Sequence, residues 1–221
     1  MGPAAALGHL SLALGAAVAA LGSLLFIAWR TYCSDGARWE PLLAAGQELD
    51  LCMRQVLVLG LDGAGKSSVL HYISSEAPKD RTAPTQGFNS VQVCAEGFQI
   101  DLLELGGSQN LRFYWNQYLR HSHVLVFVVD SADGPRLPTA RQELHCLLAE
   151  DLQLPLIILA NKQDKSGALS VVELHQELAL DTLNSQREFF LLPTSATQAA
   201  LATATSIRHV KSLLLELLAR L

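Results

Sequence analysis

The chain has 221 residues, 50% hydrophobic and only 17% charged, with net charge −5 and a pI near 5.8. A soluble domain ordinarily carries about a quarter charged residues, and a general nucleic-acid binder carries a basic footprint. The acidic balance excludes the second, so no nucleic-acid partner is expected.

The charge deficit is local, because residues 1–29 contain no Asp, Glu, Lys or Arg. Leu10 to Trp29 reads LSLALGAAVAALGSLLFIAW, with Ser11 and Ser23 its only polar members. As a helix, a run of this length crosses about 30 Å of hydrocarbon. Trp29, Arg30 and Tyr32 follow as an aromatic and cationic collar suited to a membrane interface. A cleaved signal peptide fits less well. No basic residue precedes the run, and it continues through Leu24, Leu25, Phe26 and Ile27 past any small-residue cleavage site. Residues 1–30 are therefore expected to be a single-pass anchor. Arg30, Arg38 and Arg54 beyond it assign the rest of the chain to the cytosol, on a membrane the sequence does not identify. Cys33, just past the collar, stands where palmitoylation occurs. Residues 31–52, with Gly36, Pro41 and Gly46, read as a juxtamembrane linker with one short helix around Pro41 to Ala45.

About 170 residues remain, enough for one domain with a full core and too few for two. Val56 to Leu59, a short apolar run closed by Gly60, predicts a buried strand, and a helix is expected from Lys66 to Ile73. Ser74 to Asn89 contains Pro78 and Pro84 and no periodicity, which predicts a long functional loop. Val91 to Cys94 and Phe98 to Leu103 flank Ala95-Glu96-Gly97 as a hairpin. Strands follow at Val124 to Val129, Leu156 to Leu159 and Phe189 to Leu192, with helices at Leu137 to Leu148 and Ser206 to Leu221. Alternating strands and helices predict an α/β domain of three layers, a largely parallel sheet covered on both faces.

Residues 60–67 read GLDGAGKS, a match to G-x-x-x-x-G-K-[ST] between a predicted strand and a predicted helix. Glycines there let backbone N–H groups curl around phosphate oxygens at a helix N-terminus. Lys66 would reach the β- and γ-phosphates, and the Ser67 hydroxyl would take a position on Mg²⁺. Asn161-Lys162-Gln163-Asp164 follows the strand LPLIILA, at the carboxyl end where parallel sheets bind ligands. A carboxylate at Asp164 can accept from both N1–H and the 2-amino group of guanine, donors adenine does not offer.

GLDGAGKSS, PTQGFN (84–89), ELGGSQNLRFYW (104–115), VVDSAD (128–133) and NKQD resemble, in order, the motif series of the ADP-ribosylation-factor-like (Arf-like) small GTPases, most closely their membrane-anchored subset. The resemblance covers residues 53–221 and implies the P-loop small-GTPase fold, with a six-stranded, mostly parallel sheet. It implies GTP/GDP and Mg²⁺ as ligands and a nucleotide switch acting on protein effectors, with exchange and activating factors. The implied nucleotide-binding residues are Gly60, Leu61, Asp62, Gly63, Ala64, Gly65, Lys66, Ser67 and Ser68 in the phosphate loop, and Asn161, Lys162, Gln163 and Asp164 at the base. Thr85 is similar to the first-switch threonine that joins Ser67 on the metal. Glu104, Gly106 and Gly107 belong to the second switch, with the Gly107 N–H meeting the γ-phosphate. Ser195 and Ala196, after Thr194, resemble the loop behind the guanine ring. Residues 76–90 and 104–120 would be ordered by the γ-phosphate.

Three departures stand out. The family's second switch usually reads Asp-x-Gly-Gly-Gln, and here it reads Glu104-Leu105-Gly106-Gly107-Ser108. A serine in place of the glutamine that orients the attacking water implies slow hydrolysis, and neighbouring Gln109 should point elsewhere. Glu104 adds a methylene where an aspartate usually meets Mg²⁺ through water, so weaker metal affinity is expected. A spanning N-terminal helix cannot return to a protein groove as the family's amphipathic helix does, so membrane residence should be permanent, probed by comparing the full chain with a truncation. The alternative reading is a non-hydrolysing, constitutively GTP-bound assembly module that recruits a partner to one membrane, as in the beta subunit of the signal-recognition-particle receptor. His121 and His123 are expected to face solvent or cap a strand. Phe113, Tyr114 and Trp115 should divide between switch packing and exposed partner surface.

Overall fold

The computed structural model describes residues 52–75, 85, 87–150, 153–183, 187–196 and 201–221. The expected anchor over residues 1–30, the linker up to residue 51 and residues 76–84 and 86 of the first switch lie outside them. Among the described residues no helix is long and apolar enough to cross a membrane.

Six strands form one sheet: β1 (Cys52–Leu59), β2 (Phe88–Ala95), β3 (Phe98–Leu105), β4 (Val124–Asp130), β5 (Leu156–Asn161) and β6 (Phe189–Pro193), in the order β2-β3-β1-β4-β5-β6. Every neighbouring pair is parallel except β2–β3. That hairpin turns on Glu96 (φ 50°) and Gly97 (φ 82°), and two positive φ angles match the twist of the strands they join. The helices are α1 (Lys66–Ser75), α2 (Gln109–Arg112), α3 (Trp115–Leu119), α4 (Leu137–Glu150), α5 (Val171–Glu177) and α6 (Leu201–Ala219).

Alternation along the central strands sorts their side chains into two cores. Leu57, Leu59, Leu125, Phe127, Leu156 and Ile158 point to one face, where they meet Leu144 and Leu148 of α4, Leu174 of α5, and Trp115. Val56, Val58, Val124, Val126, Ile157 and Leu159 point to the other, against Val69, Leu70 and Ile73 of α1 and Ile207, Val210 and Leu214 of α6. Both faces are buried, which is why these strands read as continuous apolar runs.

Beyond shifts of one or two residues at the ends of other elements, the structure departs from the sequence expectations as follows. β1 starts at Cys52 rather than Val56, because Cys52 to Gln55 pair with Phe98 to Asp101 although their side chains are wholly or partly exposed. β2 starts at Phe88, inside the expected loop, because Phe88 and Asn89 pair with Leu105 and Glu104. α6 starts at Leu201 and stops at Ala219, leaving Leu221 exposed. Helices α2, α3 and α5 were absent from the periodicity, since each is shorter than two full turns or close to it.

Trp115 is the largest fully buried side chain among the described residues. Its Nε1–H donates to the Gly106 carbonyl at 3.1 Å, and its ring meets Phe127 edge to face. Trp115→Ala is therefore expected to cost about 3–5 kcal/mol, measured by urea unfolding. A loss under 1 kcal/mol would contradict this packing.

Candidate functional site

The loops that follow β1, β3, β4, β5 and β6 gather at the carboxyl edge of the sheet, where ligands of such sheets bind. The loop after β1 carries Gly60 to Gly65, with Gly60, Gly63 and Gly65 at φ 141°, 72° and 96°. A Cβ on Gly65 would collide with the Asn161 amide nitrogen, so the motif after β1 and the motif after β5 fit together only through a glycine. Asn161 is buried, donates from Nδ2 to the Ala64 carbonyl at 2.8 Å, and accepts at Oδ1 from Thr194 Oγ1 at 3.2 Å. That one side chain joins the phosphate-loop motif, the N-K-x-D motif and the Thr194-Ser195-Ala196 loop.

A cleft of about 340 Å³ opens between these loops. It is lined by Asp62, Gly63, Gly65, Lys66, Ser67, Ser68, Thr85, Glu104, Gly107, Ser108 and Lys162. Lys66 lies at its floor, with Nζ donating to the carbonyls of Gly60 (2.9 Å) and Leu61 (3.0 Å). Burial pushes its ammonium down to about 8, against the opposing pull of Glu104 and Asp62. A cation held dry in this way is ready for a phosphate, which replaces its missing hydration.

That readiness has a stability signature. Below pH 8 the lysine is charged both in the folded chain and in the unfolded chain, where its ordinary value is 10.5, and the folded state bears the full desolvation penalty. Between about pH 8 and 10.5 the unfolded chain binds more protons, so stability rises with pH. Without nucleotide, Lys66→Met is expected to stabilise the protein at pH 7 by up to about 3 kcal/mol, and the advantage should fade as pH rises through that window. Thermal melts across pH 7 to 10 check this, and a Lys66→Met protein less stable than the parent at pH 7 would contradict it.

Ser67, Thr85 and Glu104 meet beside Lys66. Ser67 Oγ donates to Glu104 Oε1 at 2.6 Å, Thr85 Oγ1 donates to the same oxygen at 3.0 Å, and the two hydroxyl oxygens are 2.9 Å apart. Glu104 is 1% exposed, and its Oε2 accepts from Asn89 Nδ2 at 3.3 Å. Two hydroxyls and a buried carboxylate are hard oxygen donors of the kind Mg²⁺ takes, so the residues present fit that ion. Gly107 lies flat on the phosphate loop, and a Cβ there would overlap Asp62 N and the Gly60 carbonyl. Gly106 bonds through its N–H to the Gly87 carbonyl at 2.8 Å.

At the base end, Lys162 adopts φ 66° and sends Nζ to Asp130 Oδ2 at 2.5 Å. Gln163 donates its backbone N–H to the Thr194 carbonyl. Asp164 is exposed, and its Oδ1 accepts from Ser195 Oγ at 2.8 Å, while Ala196 follows half-buried. Asp164, Ser195 and Ala196 thus stand beyond Lys162, outside the lining of the cleft itself.

Several side chains that stand inside the quoted motifs have partners the motifs do not announce. Asp130 anchors Lys162, and Asn89 orients Glu104. Asp62 meets Arg136 at 3.3 Å and Arg112 at 3.8 Å. Arg112 also donates from Nε to the Gly107 carbonyl at 2.8 Å and pairs with Glu143 of α4 at 3.1 Å, tying the second switch to the helix behind it. Ser108 precedes α2, makes no side-chain capping bond and lines the cleft; Gln109 does not line it. The aromatic cluster divides, with Trp115 buried and Phe113 (81%) and Tyr114 (49%) exposed. His123, just ahead of β4, accepts the Gln55 N–H of β1 at Nδ1, 3.1 Å, and its own N–H donates to the Gln55 carbonyl, while His121 faces solvent. The three described cysteines, Cys52, Cys94 and Cys146, are free thiols.

Residues 45–209 match the model of the ADP-ribosylation factor family. The chain is 47% identical to mouse ADP-ribosylation factor-like protein 10, over 96% of this chain and 98% of that one. It is 44% identical to human ADP-ribosylation factor-like protein 9, over 75% of this chain and 89% of that one. Among solved structures, it resembles the Arl6 BBS3 small GTPase of Trypanosoma brucei with the bound nucleotide analogue GppNp. There the TM-score is 0.67 and the identity 26%, over 76% of this chain and 98% of that one. The mammalian SRP receptor shares the fold, with a TM-score of 0.64 and 24% identity over 74% of this chain and all of the other.

Proposed function

Because this chain belongs to the ADP-ribosylation factor family, we propose that it is a membrane-anchored guanine-nucleotide switch whose own GTP hydrolysis is slow. The observation that carries the second half is Ser108, which stands in the cleft at the position where the family's glutamine is expected and is two heavy atoms shorter in reach. The nucleotide half is supported by Lys66, Ser67, Thr85 and Glu104 around one cleft and by Asp164 at the base end. The analogue GppNp bound to the trypanosome structure supports it further.

The chemistry asked of the chain is modest, since phosphoryl transfer is mostly positioning and charge stabilisation. Lys66 and the N–H groups of residues 60–67 would hold the β- and γ-phosphates, and Ser67 and Thr85 would hold Mg²⁺, which neutralises the developing charge. Ser108 reaches too little of the cleft to orient a water, so GTP persists until a partner supplies that group. Asp164 selects guanine, and Ser195 holds its carboxylate in place.

Anchoring rests on the apolar, uncharged run Leu10 to Trp29. A cytosolic domain beyond the anchor, permanent residence on one membrane and work in membrane traffic or organelle organisation complete the reading. Its partners would be effectors that bind the GTP form, with exchange and activating factors. Fluorescence microscopy of the full chain beside a truncation lacking residues 1–30 tests the anchor. The full chain should mark one organelle and the truncation should disperse; equal membrane residence of both would overturn it. The assembly-module alternative is favoured by the same Ser108, and it would bind its partner equally with GDP and GTP.

A further inference from the structure

We propose that Glu104 is a direct ligand of the divalent cation, taking the coordination position that a shorter carboxylate could reach only through a water molecule. The inference rests on the nucleotide reading above. Three oxygens from three separate parts of the chain converge here: Ser67 Oγ from α1, Thr85 Oγ1 from the first switch, and Glu104 Oε1 from β3. Their separations are 2.6, 2.9 and 3.0 Å. Octahedral Mg²⁺ holds its ligands at about 2.0–2.1 Å, so adjacent ligand oxygens lie about 3 Å apart. The triangle already has the size of one octahedral face. Its short edge, Ser67 to Glu104, is a hydrogen bond that a cation on the face would supplant.

Proton counting points the same way. Three close oxygen–oxygen contacts share only two hydroxyl protons, because the carboxylate contributes none. The Ser67 and Thr85 hydroxyls also lie within hydrogen-bond distance of each other at 2.9 Å, with either able to donate, so a cation on the face would take lone pairs for which the three contacts now compete with two protons. The carboxylate is also fixed in rotation by Asn89 and is 1% exposed, and a buried carboxylate calls for a compensating positive charge. The Lys66 ammonium, whose hydrogen bonds go to the carbonyls of Gly60 and Leu61, acts on Glu104 through space and leaves the metal-facing oxygen to the two hydroxyls. The extra methylene of Glu104 therefore extends the carboxylate into the metal face. An aspartate would stop about 1.5 Å short, one carbon–carbon bond, leaving room for a water.

The test counts water. The full chain in detergent micelles is loaded with GppNHp and Mn²⁺, the number of water ligands is measured by pulsed EPR in ¹⁷O-water, and retained nucleotide is measured by chromatography. With Ser67, Thr85, Glu104 and two phosphate oxygens on the ion, the parent protein should show one water ligand. Glu104→Asp should show two and bind Mn²⁺ about tenfold more weakly, the reverse of the weaker affinity that the extra methylene suggested from the sequence. Two waters in the parent, or equal counts and affinities in parent and variant, would overturn the proposal. If Glu104→Asp does not fold, the parent count alone decides. Absence of retained nucleotide in the parent would overturn the nucleotide reading and this inference with it, whereas retained nucleotide with two waters overturns only the inference.

Discussion

Asp164→Ala is expected to lower the preference for GTP over ATP by about a hundredfold or more, since a site built to pair with a ligand's N–H groups rejects an analogue lacking them by large factors. The carboxylate is poised for this role by position and by support. It follows β5 at the carboxyl edge of the sheet, and Ser195 Oγ fixes one of its oxygens at 2.8 Å. Guanine offers two donors to such a carboxylate, while adenine offers an acceptor at N1 and no 2-amino group. The neighbouring Asn161 joins the three loops through buried bonds, so Asp164→Ala changes recognition without dismantling the scaffold. Displacement of a fluorescent GDP from the full chain by GTP and by ATP provides the readout. An unchanged GTP preference in the variant would contradict the assignment of Asp164.

Ser108→Gln is expected to accelerate single-turnover GTP hydrolysis by the full chain about tenfold to a hundredfold, the scale on which misplacing a reactant changes rate. Position 108 is favourable for the change. It is exposed, it lines the cleft, and its side chain contributes no cap to α2 that a glutamine would forfeit. Its neighbour Gly107 is held against the phosphate loop by contact and against α4 through Arg112 and Glu143. The backbone that would carry the glutamine is thus already fixed. A parent rate equal to that of Ser108→Gln would mean that the second switch orients water without a glutamine, and slow hydrolysis would have to be abandoned.

Much of the site was legible because its parts are contiguous in the chain. GLDGAGKS encodes a loop whose glycines are required locally, and N-K-Q-D follows an apolar strand that any reading of periodicity finds. What stayed hidden depends on residues brought together from far apart. Asp130 and Lys162 are 32 positions apart, Glu104 and Asn89 are 15 apart, and Asp62 and Arg136 are 74 apart. No local pattern marks such pairs. The early starts of β1 and β2 were hidden for another reason. Cys52, Met53 and Phe88 are exposed, so those strand ends lack the burial signature that periodicity detects. One missed element did carry a signal. Ser170-Val-Val-Glu173 is a capping box, and both of its reciprocal bonds form at the start of α5.

Packing also refined the aromatic cluster, which the sequence could only divide. Spacing along a short segment does not separate Trp115, buried beneath Gly106, from Phe113 and Tyr114, exposed on the same switch. Phe113 and Tyr114 stack edge to face on the surface of the switch, while Phe88 is 69% exposed on the edge strand.

Nucleotide state is expected to change this chain's structure, and hydrogen exchange of the full chain in detergent micelles measures that change. Loaded with GppNHp and Mg²⁺, residues 76–90 and 104–120 should exchange more slowly than with GDP, while β4, β5 and α4 exchange alike in both. Identical exchange of those two segments with GDP and GppNHp would contradict a switch and leave a static, nucleotide-holding module in its place.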